Sequence, residues 1–197
     1  ACVVGINEDP VIIENIEKNI VETAFKEGWI TAKLPKLRTD KTVAIIGSGP
    51  AGLAAAQQLN RAGHTVTVFE RDEKLGGLLR YGIPDFKMEK NVIDRRLNVL
   101  AEEGIIFKTN AHVGKTIDAN KLKSEFDAVV LCGGATVKRN IPIPGSDLKG
   151  VHQAMDFLKL NNQYVDGLAD FEDIISAKDK KIIVIGGGDT GSDCIGT

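Results

Sequence analysis

The 197 residues suffice for one large domain or two small ones with a sizeable core. Lys and Arg number 25 against 27 Asp and Glu, a formal charge of −2 without a block of like charge, which argues against a nucleic-acid partner or a charged membrane surface. No apolar run approaches the roughly 20 residues that span a bilayer, and the start does not resemble a secretory leader. The three cysteines are odd in number and far apart, so we expect a cytoplasmic, reducing setting.

The first 40 residues precede any strand pattern. Apolar side chains recur at helical spacing between Pro10 and Trp29, with acids and lysines between them. This pattern predicts an amphipathic helix, and Gly28 is its expected stop. Residues 33–40 contain Pro35 and are typical of an extended linker.

Residues 42–70 form the most informative stretch, TVAIIGSGPAGLAAAQQLNRAGHTVTVFE. The spacing predicts a buried parallel strand over 43–46, a glycine turn, a helix from Leu53 to Leu59 and a second strand over 65–69. Glu70 ends the second strand. Strand, G-x-G-x-x-G turn, helix, strand and acid together are the dinucleotide-binding fingerprint in its expected context. The alternative is a glycine turn in an ordinary βαβ unit.

The glycines of this turn have separate expected roles. Gly47 permits the tight turn, Gly49 lets the backbone approach a diphosphate, and Gly52 lets the helix lie close to the strand. Unpaired N–H groups at the helix start then face the phosphates, and Glu70 accepts hydrogen bonds from ribose hydroxyls. The predicted cofactor-binding residues here are Gly47, Ser48, Gly49, Pro50, Ala51, Gly52 and Glu70.

Two adjacent glycines, Gly76 and Gly77, follow soon after, and they allow the backbone to run beside a cofactor. We predict a helix over 88–103 ending before Gly104, a short strand over 105–107 and a short helix over 118–124. A buried strand is expected over 126–132, followed by Gly133 and Gly134. Cys132 is more typical of an inert, buried small side chain than of a redox thiol.

The last third contains a second fingerprint. After an extended connector over 138–144, a helix is expected from Gly150 to about Tyr164. A strand over 181–185 then leads into a second G-x-G-x-x-G turn, Gly186 to Gly191. The strand that distinguishes NADH from NADPH would follow Thr197, so the residues do not decide between them.

Several stretches resemble the small subunit of NADPH-dependent glutamate synthase. These are ACVVGINEDPVIIENIEKNIVETAFKEGWI at the start, GGLLRYGIPDFKM, and GGGDTGSDCIGT at the end. The middle stretch is also similar to the N-terminal part of dihydropyrimidine dehydrogenase. The resemblance implies an internal fragment of an α/β flavoprotein: a Rossmann-like FAD-binding parallel sheet, preceded by a helical remnant of an iron–sulfur domain and followed by the start of a second Rossmann-like nucleotide-binding domain.

The resemblance implies three segments with distinct cofactors. Residues 1–40 would form the end of an iron–sulfur domain plus a linker. Residues 41–145 would be the N-terminal part of the FAD-binding domain, and residues 146–197 would be a connector helix and the truncated start of the NAD(P)H-binding domain.

Cys2 matches the last ligand of a 4Fe-4S cluster, whose other ligands would precede residue 1; the alternative is an ordinary terminal cysteine. FAD contacts are implied for Glu70, Arg71, Gly76, Gly77, Leu78, Lys87, Val113, Gly133 and Gly134, and NADPH contacts for Gly186, Gly188, Asp189, Thr190 and Gly191.

The implied function is electron input: electrons pass from NADPH through FAD to iron–sulfur clusters and to a large subunit that makes glutamate from glutamine and 2-oxoglutarate. Because the flavin supplies the chemistry, no acid–base catalytic residue is expected here. The alternatives are a related NAD(P)H:FAD oxidoreductase of the pyrimidine-reducing or ferredoxin-dependent transhydrogenase type, and a non-catalytic flavin-binding or scaffold protein. We expect the fragment alone to be inactive, to retain FAD poorly and, through exposed apolar surface, to favour a homodimer.

Overall fold

The computed structural model describes residues 2–197, which form two compact units. The first unit extends to Lys33 and the second is Leu34–Thr197. In the first unit a short 3-10 helix, Val3–Ile6, precedes helix α1, Ile13–Lys26. Gly28 ends the helix with φ +70°, as predicted, and Trp29 N donates to Ala24 O at 2.8 Å. The amphipathic helix is therefore confirmed, with exposed apolar side chains at Ile16 and Ile20.

The second unit contains a four-stranded, fully parallel sheet in the order β3-β2-β1-β4. The strands are β1 Thr42–Ile46, β2 Thr65–Phe69, β3 Ile106–Lys108 and β4 Ala128–Leu131. The parallel α/β class expected from the sequence is confirmed. Because every strand points the same way, the loops after the strands gather at one edge of the sheet, where ligands bind in such folds.

The second unit, Leu34–Thr197, has six helices. They are α2 Pro50–Arg61, α3 Leu78–Tyr81, α4 Lys90–Glu102, α5 Ala119–Glu125, α6 Ala154–Val165 and α7 Asp189–Gly196, with a 3-10 turn at Phe171–Asp173. Of these, α2 and α4 pack on one face of the sheet and α5 on the other. Along residues 2–197 no helix combines the length and the apolar character that crossing a membrane requires.

The alternation of side chains along β1 divides the core into two clusters. Val43 and Ile45 pack on one face against Leu53 of α2 and Leu97 of α4, with Val66 and Val68 from β2. Ala44 and Phe69 pack on the other face with Ala111 and Leu122. Both faces of β1 and β2 are therefore buried, which is why these two strands are continuous apolar runs.

Two strand predictions need correction. The strand predicted as buried over 126–132 forms as β4, but it lies at the sheet edge beside β1 alone, and Leu131 is 80% exposed. The strand predicted over 181–185 does not form among the described residues: the segment has no strand partner, and Ile183 is 88% exposed. An apolar run becomes a strand only where a neighbouring strand completes its backbone hydrogen bonds.

The edge strand β4 is held to β1 by Asp127. Its carboxylate accepts hydrogen bonds from Lys41 Nζ at 2.8 Å, Thr42 N at 2.8 Å and Thr42 Oγ1 at 3.1 Å. These contacts, Lys41 first, lower the pKa of Asp127 to about 2. The ionised carboxylate is therefore the form that pairs the start of β4 with β1.

We predict that Asp127→Asn destabilises the chain in a pH-dependent way. A carboxyl group whose folded pKa lies below its unfolded value of 3.8 stabilises the fold above that value, and loses the effect as pH falls through about 2. Urea denaturation from pH 7 to pH 2 should show wild type more stable near neutrality and the two proteins converging in acid. Asp147→Asn, at an exposed position, controls for the loss of one negative charge. A pH-independent gap between wild type and Asp127→Asn would contradict the account.

Candidate dinucleotide-binding site

The turn between β1 and α2 accepts only glycine at two positions. A Cβ on Gly52 would lie 1.9 Å from Gly47 O, and one on Gly47 would lie 2.4 Å from Cys132 O. Gly47 also has φ +104°, in the left-handed region. By contrast, a Cβ on Gly49 would meet no atom within 4 Å, so open space lies above the residue that caps α2.

That open space adjoins a helix N-terminus. α2 begins at Pro50, which suits the first helical position because that residue needs no N–H partner. The first N–H groups of a helix lack intrahelical acceptors and carry the positive end of the helix dipole. The position above Gly49 therefore combines open space with the positive end of a helix dipole, two features that favour an anion.

The carboxylate of Glu70 is buried and holds this turn in place. Glu70 Oε2 accepts from Ser48 N at 2.9 Å and from Ser48 Oγ at 2.5 Å, while Oε1 accepts from Asp72 N at 3.0 Å. A carboxylate has about four lone-pair positions, and three are used here. One position on Oε1 is therefore left for an external donor such as a ribose hydroxyl.

Gly76 and Gly77 also lie against the turn. Gly76 N donates to Ser48 Oγ at 3.0 Å, and a Cβ on Gly77 would lie 2.8 Å from Gly49 Cα. The fully buried Ser48 thus connects the turn, the acid and the glycine pair. Sequence reasoning missed this role, because the middle positions of the fingerprint are normally treated as free.

Several other predicted flavin-site residues lie in less enclosed surroundings. Arg71 Nε lies 3.7 Å from Asp72 Oδ2, and Leu78 is 52% exposed. Val113 makes an isolated bridge with Ile117, while Gly133 and Gly134 lie in the exposed loop after β4. Pro50 and Ala51 are exposed at the start of α2.

The second glycine turn repeats the geometry of the first. Gly186 has φ +124°, and a Cβ on Gly191 would lie 2.5 Å from Gly186 O. Gly188 caps α7, and an added Cβ there would again meet nothing within 4 Å. Asp189 begins α7 and Thr190 is exposed beside it. The turn therefore forms even though the strand predicted before it does not.

Helix α6 and the residue after it make polar contacts with residues 72–80, the segment that follows Glu70 and leads into α3. Lys159 Nζ donates to Asp72 at 2.8 Å, and Gln163 donates to Glu73 at 3.0 Å. Asp166, just after α6, accepts from Arg80 Nη1 at 3.2 Å. Lys159 Nζ also lies 5.1 Å from the centre of the Tyr81 ring. Burial raises the pKa of the Tyr81 hydroxyl. The only sequence signal of this contact was the spacing of polar residues along one face of α6.

Cys2 lies in a hydrogen-bonded turn of the first unit. Backbone hydrogen bonds, first from Val11 and then from Val4, lower the pKa of its thiol. All three cysteines are free, and within residues 2–197 no group of three or more His, Cys, Asp or Glu side chains is arranged to hold a metal ion. A cluster with about four thiolate ligands therefore does not fit the described residues alone.

Comparison with known proteins identifies the family. Residues 41–197 match the family described as pyridine nucleotide-disulphide oxidoreductase, and the chain belongs to it. The whole chain is 58% identical to the glutamate synthase [NADPH] small chain of Mycobacterium tuberculosis, and covers 41% of that protein. It is 52% identical over its whole length to glutamate synthase [NADH] of Schizosaccharomyces pombe, of which it covers 10%.

Among solved structures, Mycobacterium tuberculosis FprA in complex with NADPH matches 66% of this chain and 31% of its own, with a TM-score of 0.59 and 28% identity. The 58% identity to the small chain confirms the resemblance to the glutamate synthase small subunit seen in the sequence. The chain spans about two-fifths of the length of the small chain it matches.

We predict that Ser48→Ala lowers the free energy of unfolding by about 2 kcal/mol, because it leaves the buried Gly76 N–H without an acceptor and removes a hydroxyl donor from Glu70. Urea denaturation measures the change. Ser124→Ala is the matched control: its hydroxyl donates to Lys121 O at an exposed site, and the loss should stay within about 0.5 kcal/mol. Equal stability of the Ser48 and Ser124 variants would show that the cluster does not hold the turn.

Proposed function

We propose that this chain provides the N-terminal part of the FAD site and the beginning of the NADPH site of an electron-input flavoprotein subunit of glutamate synthase. The observation that supports this best is the pair of glycine turns. Each has a first glycine at positive φ, a third glycine against its carbonyl oxygen, and open space above the second. Family membership and high identity to glutamate synthase chains supply the context.

At the first turn, the residues fit the adenosine diphosphate half of FAD. The open position above Gly49 would hold the diphosphate against the N-terminus of α2, where fixed N–H dipoles need no reorganisation. The remaining acceptor position of Glu70 would take one ribose hydroxyl. Gly76 and Gly77 would keep that side of the site free of side chains. Bound FAD would supply the transfer of electrons from nicotinamide to one-electron acceptors.

At the second turn, Gly188 and the N-terminus of α7 would hold the diphosphate of NADPH, and Asp189 or Thr190 would help to place the nicotinamide ring. Relatives named for NADPH and for NADH are both more than half identical to this chain. The identity is 58% to the NADPH-named chain of Mycobacterium tuberculosis and 52% to the NADH-named chain of Schizosaccharomyces pombe, which supports NADPH.

The remaining parts of the proposed function require residues outside this sequence. Cys2 would be one thiolate of a 4Fe-4S cluster, and the backbone hydrogen bonds that lower the pKa of its thiol support this role. A large subunit would receive the electrons and make glutamate from glutamine and 2-oxoglutarate, in the cytoplasm and without nucleic acid or membrane. A homodimer of the isolated chain stays a prediction.

We predict that Gly49→Ala and Gly188→Ala separate the two sites in the natural full-length protein. Each added methyl group meets no protein atom within 4 Å, so folding should be unaffected, but each enters the space proposed for a diphosphate. Gly49→Ala should weaken FAD binding about tenfold or more, measured by flavin absorbance after purification and by titration of apoprotein. Gly188→Ala should weaken NADP⁺ binding similarly, by calorimetry, and keep FAD. Wild-type protein that is colourless, or that fails to be reduced by NADPH, would overturn the proposal.

A further prediction concerns Asp189 in the full-length protein. If its carboxylate helps to place the nicotinamide ring, Asp189→Asn should slow flavin reduction by NADPH several-fold in stopped-flow measurements. Asp156→Asn, which removes a carboxylate from the start of α6, is the matched control. Unchanged NADPH affinity and unchanged flavin reduction in Asp189→Asn would exclude the role.

A further inference from the structure

Lys87 connects the loop after α3 with the helix of the second glycine turn. Its Nζ makes an ion pair with Asp193, which lies inside α7 and is only 8% exposed. Sequence reasoning placed Lys87 at the flavin and left Asp193 without a role. The structure brings the two side chains together across 106 residues of sequence.

Helix α7 contains acidic residues but no basic ones. Its sequence, DTGSDCIG, contains two aspartates and neither lysine nor arginine. Asp189 and Asp193 are four residues apart, so they lie on the same face of the helix. The contact with Asp193 and the negative charges of Asp193 and Asp189 raise the pKa of Lys87, although desolvation partly opposes them. Lys87 therefore stays charged and lies in the field of both carboxylates.

The loop that carries Lys87 is itself fixed. The ammonium of Lys90 contacts Ile83 O and lies 3.4 Å from Met88 O, so it joins the two ends of the loop. Phe86 lies against Gly196 so closely that a Cβ there would be 2.5 Å from the ring. Lys87 thus lies in a loop that Lys90 closes on itself, and the neighbouring Phe86 contacts the C-terminal end of α7.

This arrangement bears on anion binding at the second turn. A dinucleotide diphosphate brings two negative charges to the N-terminus of α7, where the helix dipole offers only about half a positive charge. Two aspartate charges within the first five residues of α7 oppose that binding. Lys87 is a cation that pairs with Asp193 and lies in the electrostatic field of Asp189.

We propose that Lys87 is a positioning residue of the second nucleotide site: by pairing with Asp193 it neutralises the acidic face of α7, so that the glycine turn can accept the diphosphate of a nicotinamide dinucleotide. The inference rests on the proposed function of that turn. It gives Lys87 a part in nicotinamide binding that is separate from any contact with FAD.

The test is a double-variant cycle in the natural full-length protein, with NADP⁺ as the probe and calorimetry as the measurement. Lys87→Met should weaken NADP⁺ binding about tenfold, because Asp193 is then left uncompensated. Lys87→Arg, which keeps the charge, should stay within about threefold of wild type. The combination of Lys87→Met with Asp193→Asn should recover most of the loss, since the charge to be neutralised is gone. Lys121→Met, at an exposed lysine 3.6 Å from Glu125, should change nothing.

Three outcomes would overturn the inference. They are wild-type affinity in Lys87→Met, a loss that Asp193→Asn does not relieve, and a loss of FAD from Lys87→Met with unchanged NADP⁺ affinity. If Lys87→Met fails to fold, Asp193→Asn alone decides: it removes one negative charge beside the turn and should tighten NADP⁺ binding several-fold, and equal or weaker binding refutes the idea. Wild-type protein that binds no NADP⁺ would instead refute the proposed function.

Discussion

The carboxylate of Glu70 accepts hydrogen bonds from Ser48 N, Ser48 Oγ and Asp72 N while only 5% of the residue is exposed. Ser48 Oγ in turn accepts from Gly76 N. A buried carboxylate is costly unless such donors surround it, so the cluster is stable only when the turn, the end of β2 and the glycine pair meet. The geometry of the first glycine turn therefore depends on Glu70, which has a structural task beyond the ribose contact expected from the sequence.

Support for this cluster extends to helices outside the fingerprint. α6 contacts Asp72 through Lys159, and Asp72 N is one of the donors to Glu70. In the C-terminal half of α2, Arg61 Nη2 at 2.6 Å and Gln57 Nε2 at 3.0 Å donate to the fully buried carboxylate of Glu103, which ties α2 to the end of α4. Buried polar groups satisfied in this way specify one packing, because any shift leaves a charge unpaired.

The second turn shows which part of the fingerprint forms locally. Gly186, Gly188 and Gly191 reproduce the close approach and the open space of Gly47, Gly49 and Gly52, although residues 181–185 form no strand. Turn and helix need only neighbouring residues, whereas a strand needs a partner elsewhere in the chain. The ion pair between Lys87 and Asp193 then associates this turn with the loop that follows the first site.

The sequence by itself determined the parallel α/β class, β1, β2 and α2, the amphipathic helix α1 and both glycine turns, because periodicity and glycine spacing act over a few residues. It placed Glu70 at the end of β2 but could not show that Ser48 and Asp72 occupy most of its carboxylate. Only the tertiary structure decided the exposure of β4, the absence of a strand at 181–185, the contacts of α6 with Asp72 and Glu73, and the pairing of Lys87 with Asp193. Each of these depends on which distant segments lie beside one another, and hydrogen bonds and charges respond to that proximity rather than to position along the chain.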